Sequence, residues 1–346
     1  MSHAKLISLT AMGILLALAS VSPAPPDRSY VSGDSMMTLD GKNVGFVKSV
    51  EGGAITAEVI NEPAGPSYFT KKHIGQPRYE DFTVQVGFSM SKTLYEWIAG
   101  SWTNKIERRN GSFIAADQNL QAQSERKFFN AMITETTIPA MDSSSKEPGY
   151  ITVKLAPETI RVEKAGGKVS GEFGKIEQKV FLPASFRLQI DGLDCTKVSY
   201  IDSFTVKRTV VTDDIGDARD YAKDPGKLVF PNIKVTLAES TAQSWLAWHE
   251  SFVVQGKNDE MAEKSGVLTL LSPNQQTVLA RINFFNMGIF SIGADKTEAN
   301  ADQIRRVTAE LYVERMEFEA GGEGAEPGST GTTTPPATTK PAVRRG

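Results

Sequence analysis

Arg126-Lys127-Phe128-Phe129-Asn130-Ala131-Met132-Ile133 and Arg281-Ile282-Asn283-Phe284-Phe285-Asn286-Met287-Gly288-Ile289 carry one Phe-Phe-Asn triplet, with Phe128 and Phe284 156 positions apart. The same offset, without a gap, brings residues 151–164 onto 307–320, where Thr152 meets Thr308, Leu155 meets Leu311, Glu158 meets Glu314 and Glu163 meets Glu319. Two blocks sharing one offset indicate an internal repeat of long period. Upstream the offset drifts, as insertions in loops would make it do. Trp97 in Leu94-Tyr95-Glu96-Trp97 aligns with Trp245 in Ala242-Gln243-Ser244-Trp245, and residues 46–52 align with 186–192. The reading is two tandem copies, residues 40–165 and 183–320. The segment 166–182 joins them, loosened by Gly166, Gly167, Gly171 and Gly174.

Each copy reads as mainly β with one short helix. Phe82, Val84, Val86 and Phe88 alternate onto one face, as do Ile151, Val153 and Leu155. Strands are also expected at residues 46–50, 54–60, 112–116 and 127–133. In the second copy they fall at 186–190, 203–210, 233–237, 267–271, 278–289 and 307–318. Leu94, Trp97 and Ile98 recur at helical spacing after a possible cap at Ser91, with Gly100 as the stop. Ser240 is the matching cap for a helix carrying Trp245, Leu246 and Trp248. Pro225-Gly226 with Pro231-Asn232, and Gly75-Gln76-Pro77, read as turns before the central strand. This element order is α+β and does not alternate strand with helix, which excludes a doubly wound nucleotide fold.

Composition narrows the chemistry. The chain has 346 residues, a net charge of −3 and hydrophobic residues at 40%, so most of it can bury a core and it is not a globally basic nucleic-acid binder. One cysteine, Cys195, excludes an intrachain disulfide framework, and His3, His73 and His249 are too scattered for a His-rich metal site. Residues 1–26 resemble an export signal: Lys5, an apolar run from Leu6 to Val21, and the small-x-small site Ala17-Leu18-Ala19. The run is short for a spanning helix, so no stable membrane span is expected after cleavage. Residues 321–346 are rich in Gly, Thr and Pro and read as a disordered tail.

The search for a reactive constellation returns none. Gly-x-Ser-x-Gly, Walker-type and His-Glu-x-x-His signatures are absent from the sequence. Asp213, Asp214, Asp217 and Asp220, near Gly216, form the densest carboxylate cluster, but their spacing does not fit the twelve-residue calcium loop. Asp259, Glu260 and Glu263 read as an exposed acidic loop. His249, beside Trp248, has no nucleophile or orienting partner that sequence can name. Lys71-Lys72-His73, and Lys105 with Arg108-Arg109, are basic clusters read as solvated loop charge. Trp97 and Trp245 read as helix-to-sheet packing. No residue is assigned as catalytic, cofactor-binding or metal-ligating, and no cofactor is expected.

Several of these stretches together resemble the tail tube proteins of contractile phages and related injection systems. They are Pro225-Gly226-Lys227 with Phe230-Pro231-Asn232-Ile233, Trp97 and Trp245, Arg108-Arg109-Asn110-Gly111-Ser112, and Phe128-Phe129-Asn130-Ala131. The first copy lacks the Pro-Gly and the second lacks the Arg-Asn-Gly-Ser turn, keeping Lys264-Ser265-Gly266-Val267. The resemblance spans about residues 46–320. It implies two β-barrel or split-barrel domains in a non-enzymatic structural protein. Such a protein would assemble with itself through sheet edges into a trimeric pseudo-six-fold or hexameric ring, with sheath or baseplate-like proteins as further partners. Location follows the fate of residues 1–26: periplasmic or extracellular if they are cleaved, cytoplasmic or in a virion tail if they are a docking arm. Two other classes stay open. One is a secreted duplicated β-barrel module binding a glycan or protein through loop aromatics such as Tyr68, Phe69 and Tyr79. The other is an enzyme of unrecognised type.

Overall fold

The period-2 apolar stretches become strands, and the described residues of the first half hold eleven strands in all. These are β1 (Ser35–Leu39), β2 (Lys42–Val47), β3 (Ser49–Gly52), β4 (Ile55–Glu62), β5 (Lys71–Tyr79), β6 (Phe82–Val86), β7 (Arg109–Ala116), β8 (Ala122–Ile138), β9 (Met141–Asp142), β10 (Ile151–Ala156) and β11 (Thr159–Lys164), with helix α1 (Lys92–Ser101) between β6 and β7. The second half has β12 (Phe186–Ile190), β13 (Val198–Ile201), β14 (Phe204–Asp213), β15 (Ala222–Val229), β16 (Ile233–Ala238), helix α2 (Gln243–His249) running into a π turn, Glu250–Val254, then β17 (Lys264–Leu271), β18 (Val278–Ala294) and β19 (Arg306–Ala320). This computed structural model describes residues 35–63, 65, 69–88, 90–117, 119–169, 180–213, 222–295 and 304–321. The signal-like segment, the middle of the joining segment, Asp214 to Asp220, Tyr68 and the tail from 322 lie outside the described residues.

The strand pairings of the second half reproduce those of the first. In the first, β1 pairs β7, β7 pairs β8, β8 pairs β10 and β11, β10 pairs β6 and β6 pairs β3. In the second, the path runs β12-β17-β18-β19-β16-β13. Registers coincide as well. Leu39 opposes Gly111 and Ile190 opposes Gly266. Val50 opposes Val84 and Ile201 opposes Val235. Glu62 opposes Lys71 across the β4–β5 hairpin and Asp213 opposes Ala222 across β14–β15, with register shifts at Ala57/Val59 and Arg208/Val210. Every one of these N-terminal correspondences has the offset 151. Beyond the helices the offset becomes 155 for β7 and β17, then 156 for β8 and β18, whose residue ranges superpose in length at 17 residues each.

These ladders correct the upstream sequence alignment. The counterpart of β12 is β1, not residues 46–52, because β12 and β1 are the strands that pair β17 and β7. The counterpart of Trp97 is Trp248, since each indole N–H donates to a carbonyl in the loop after its helix, Glu107 O at 2.9 Å and Ala262 O at 3.2 Å. Trp245 stands in the place of Leu94. Two tryptophans three residues apart share a helix face, which left the choice between them open to sequence.

Other expectations change too. Gly100 does not stop α1, which runs to Ser101, and the Ser91 hydroxyl makes no capping bond although Ser91 holds the cap position. Ser240 lies in a 3₁₀ turn and α2 begins after Ala242. Pro225-Gly226 and Gly75-Gln76-Pro77 lie inside β15 and β5 rather than in turns. Proline is admissible there because each of these strands pairs on one side only, so the missing N–H faces away from the ladder. One contiguous apolar core runs through both halves, from Phe82, Trp97 and Phe128 to Trp245, Phe284 and Phe318.

The Phe-Phe-Asn triplet has a backbone reason. Phe128 and Phe284 fill the core, while Asn130 and Asn286 sit at φ +51° and +54°. Asparagine tolerates that left-handed conformation better than other non-glycine residues. Its side-chain amide also donates to a carboxylate in each half, Glu158 at 3.0 Å and Glu263 at 2.9 Å.

Candidate assembly interface

The β14–β15 hairpin of the second half does not stay in its own sheet. Phe204, Thr205, Val206 and Lys207 pair antiparallel with Ile138, Thr137, Thr136 and Glu135, so the hairpin extends the sheet of the first half along the free edge of β8. Alternation turns Phe204 and Val206 inward, and both are buried. Thr205 and Thr137 face each other with hydroxyls 2.8 Å apart. At the bulge, Arg208 reaches the end of α1, donating to Thr103 O at 2.7 Å and Ser101 O at 3.3 Å, and to Gly226 O of its own hairpin at 3.1 Å. Burial holds the Arg208 guanidinium below the usual arginine range. The Ser101 and Thr103 carbonyls lie at the C-terminal end of α1, where a cation also meets the negative end of the helix dipole.

Charged groups complete this seam. Lys223 of β15 binds Asp81 at 2.9 Å and Tyr79 O at 3.3 Å, and its backbone N–H donates to Glu158 at 3.2 Å. Arg108 pairs with Glu158 and reaches Asp224 at 3.3 Å. Below them α1 packs on β19, with Tyr95 and Trp102 6.4 and 5.7 Å from the Phe318 ring centroid. Burial raises the Tyr95 hydroxyl far above the usual tyrosine range. That hydroxyl donates to Gly87 O at 2.8 Å and accepts from Met90 N at 3.2 Å.

The residues singled out in sequence land apart. Arg108 joins the seam, while Arg109 is held by Asp40 and Glu107, both at 2.8 Å, and Lys105 by Glu107 at 2.6 Å. His73 pairs with Glu62 at 2.9 Å on β5. His73, Lys105, Arg108 and Arg109 are therefore strand and loop charges bound to carboxylates, while Lys71 and Lys72 are exposed on β5. Glu263 accepts from Tyr312 at 2.7 Å and Asp259 from the Ala262 backbone at 3.0 Å. His249 is the last residue of α2. Trp97 and Trp245 are core residues. The Tyr79 hydroxyl accepts from Arg161 at 2.9 Å. A groove of about 970 Å³ runs beside β12 and is lined by Cys195, whose thiol burial pushes up to about 11. Among the described residues no group of three or more His, Cys, Asp or Glu could hold a metal ion, and no helix is long and apolar enough to cross a membrane. Sequence reasoning missed Arg208 and Lys223. Neither belongs to a charge cluster singled out in the sequence, and the partners that place them in the seam, Ser101 and Thr103 for Arg208, Asp81 and Glu158 for Lys223, lie 65–142 residues upstream.

Residues 35–161 match the family model described as T4-like virus tail tube protein gp19. Over those residues the first half is similar to the tail tube family. Among solved structures, the tail-tube likeness extends to a protein in an extracellular contractile injection system, in its sheath-tube complex in the extended state. Identity is 18% over 40% of this chain and 95% of that one, with a TM-score of 0.36. The tube-terminating cap of the anti-feeding prophage is 20% identical over 43% of this chain and 99% of that one, with a TM-score of 0.38. Hcp1 from Flavobacterium johnsoniae is 18% identical over 40% of this chain and all of its own length, with a TM-score of 0.25. No curated protein matches the chain.

Proposed function

We propose that the chain is a non-enzymatic structural subunit made of two tail-tube modules, residues 35–165 and 183–320, that assembles with itself into a ring. The observation that carries the reading is the repetition of one strand ladder, register shifts included, in a chain whose first half matches the tail tube family. Three chains would supply six modules and close a pseudo-six-fold ring. Ring closure pairs sheet edges that a lone subunit leaves open to unwanted association. Rings would stack into a tube, with sheath or baseplate-like proteins as partners, outside the cytoplasm once residues 1–26 are removed.

Mass photometry of the chain from residue 27 onward tests this. Trimers or multiples of three, seen as rings by negative-stain microscopy, are the expected result. A strictly monomeric protein at micromolar concentration overturns it. N-terminal sequencing of secreted material tests export separately.

A further inference from the structure

We infer that neighbouring chains join head to tail through a copy of the seam already made inside each chain: the β4–β5 hairpin of one chain adds to the free edge of β18 in the next. The inference rests on the two-module ring reading and assigns its contact surface. Inside the chain, the hairpin of module two covers β8 of module one. The equivalent hairpin of module one, β4–β5, forms a sheet of two strands that pairs with nothing else among the described residues. The equivalent edge of β18 is open as well: beyond Met287 no described strand other than β19 pairs with it. β8 and β18 even share the feature that shapes this edge, a register shift at Thr134 and at Phe290.

Side-chain exposure supports the match, because positions buried in the inner seam are exposed apolar groups at the outer one. Val206 is 3% exposed and its counterpart Ile55 47%. Phe318 is 4% exposed and its counterpart Val162 62%. Tyr95 is 8% exposed and its counterpart Leu246 43%. Thr134 and Trp102 are buried, whereas Phe290 and Val253 are exposed. These exposed groups lie on two complementary surfaces of one chain, hairpin and β11 on one, β18 and α2 on the other. Contact between unlike surfaces of two copies is heterologous, the kind that generates rings. Transferring the inner register places Ala54, Ile55 and Thr56 opposite Gly293, Ile292 and Ser291 of the next chain.

Disulfide trapping tests that register. In a Cys195→Ser background, Ala54→Cys and Gly293→Cys occupy the counterparts of the facing pair Thr205 and Thr137. Directly opposed residues on antiparallel strands sit about 4.5–5.5 Å apart at Cα, within disulfide reach. A Cβ at Gly293 meets nothing within 4 Å, so the second substitution is sterically free. Mixing the two single variants under mild oxidation is expected to give a covalent dimer, while each alone gives none. The double variant is expected to give longer covalent multimers. Thr137→Cys with Thr205→Cys, expected to close within one chain, verifies the template.

No dimer from the mixture, with the intrachain control closed and the wild-type chain oligomeric, overturns this inference and leaves the ring reading standing. A wild-type chain that is monomeric throughout removes both. Failure of the intrachain control removes the template and the inference with it. Ile55→Asp supplies a second measurement: its oligomer mass should fall to that of a single chain while its thermal transition stays within a few degrees of wild type. An unchanged oligomer counts against the proposed surface.

Discussion

Arg208→Ala is the sharpest test of how the two modules are held. The side chain is 8% exposed and spends its donors on carbonyls at the end of α1, across the seam, and on Gly226. A hydrogen bond involving a charged group contributes about 1.5–3 kcal/mol net, and a carbonyl left buried without a donor costs about 1–3 kcal/mol. The contributions overlap, because water can reach part of the vacated space and the bonds share one donor group. A loss of about 2–4 kcal/mol follows. With about 2.1 cal/mol/K of unfolding entropy per residue over roughly 290 folded residues, each kcal/mol is worth about 1.6 °C, so the melting temperature should fall by about 3–7 °C. Differential scanning calorimetry reads this directly, and Arg208→Lys should recover only part, since one ammonium cannot span three acceptors fixed for a planar fork. The loss should not change between pH 5 and 9, because the guanidinium stays charged throughout. A shift under 1 °C would refute the claim that Arg208 clamps the modules. A large shift equally rescued by Lys would assign the effect to charge alone.

Three further outcomes follow from single positions. Asn286→Val forces a β-branched residue into φ +54° and removes the bond to Glu263, and should cost about 1–3 kcal/mol, while Asn286→Gly should cost less; urea titration separates the two. Gly111→Ala would put a Cβ 2.2 Å from Thr38 O and 2.5 Å from the Phe128 ring, whereas at Gly266 the nearest contact is 2.8 Å, so Gly111→Ala should lower the melting temperature more than Gly266→Ala. The Cys195 thiol, raised from 9.0 to about 11, should react with iodoacetamide near pH 8 about a hundredfold more slowly than an unhindered thiol of ordinary pKa, since only the thiolate is nucleophilic. Because its folded pKa is raised, its stabilising contribution is complete below pH 9 and is lost as pH rises toward 11.

Much of the fold was legible because it was written twice. Period-2 runs such as Phe82-Thr83-Val84-Gln85-Val86 mark buried strands by themselves, and the Phe-Phe-Asn triplet located the longest strand of each half. Among the strands that escaped, β5 and β15 lack an inward apolar face: in Lys71–Tyr79 and Ala222–Val229 charged residues, Pro and Gly break the alternation. Their order comes from a hairpin partner, which local pattern does not display. The seam escaped for the same reason. Arg108 was noticed as a basic residue, but Lys223 O and Asp224 come within its reach only when β14 crosses to β8. Offsets misled at Trp245 and Phe186 because isolated aromatic matches can be placed at several registers, whereas a ladder admits one.

Comparing the inner seam with the proposed outer one shows how the two contacts would differ in strength. Of the inner polar groups, Lys223 and Glu158 keep their type at Lys72 and Glu314. Asp81 becomes Asn232, Arg208 becomes Ala57, and the facing Thr205 and Thr137 become Ala54 and Gly293. Apolar bulk moves the other way, since Val206, Thr134 and Thr136 become Ile55, Phe290 and Ile292. The permanent, covalently tethered contact therefore carries the buried charge and hydrogen bonds, whose geometry must be exact to offset desolvation. The contact between chains trades these for apolar burial, which needs less precise docking. Association should accordingly change little between 0.05 and 0.5 M NaCl, roughly the span over which exposed ion pairs are screened, and should weaken on cooling toward 4 °C. Mass photometry across those conditions measures it. Rings that dissociate in salt yet persist in the cold would mean that charge, not the Ile55 face, holds neighbouring chains together.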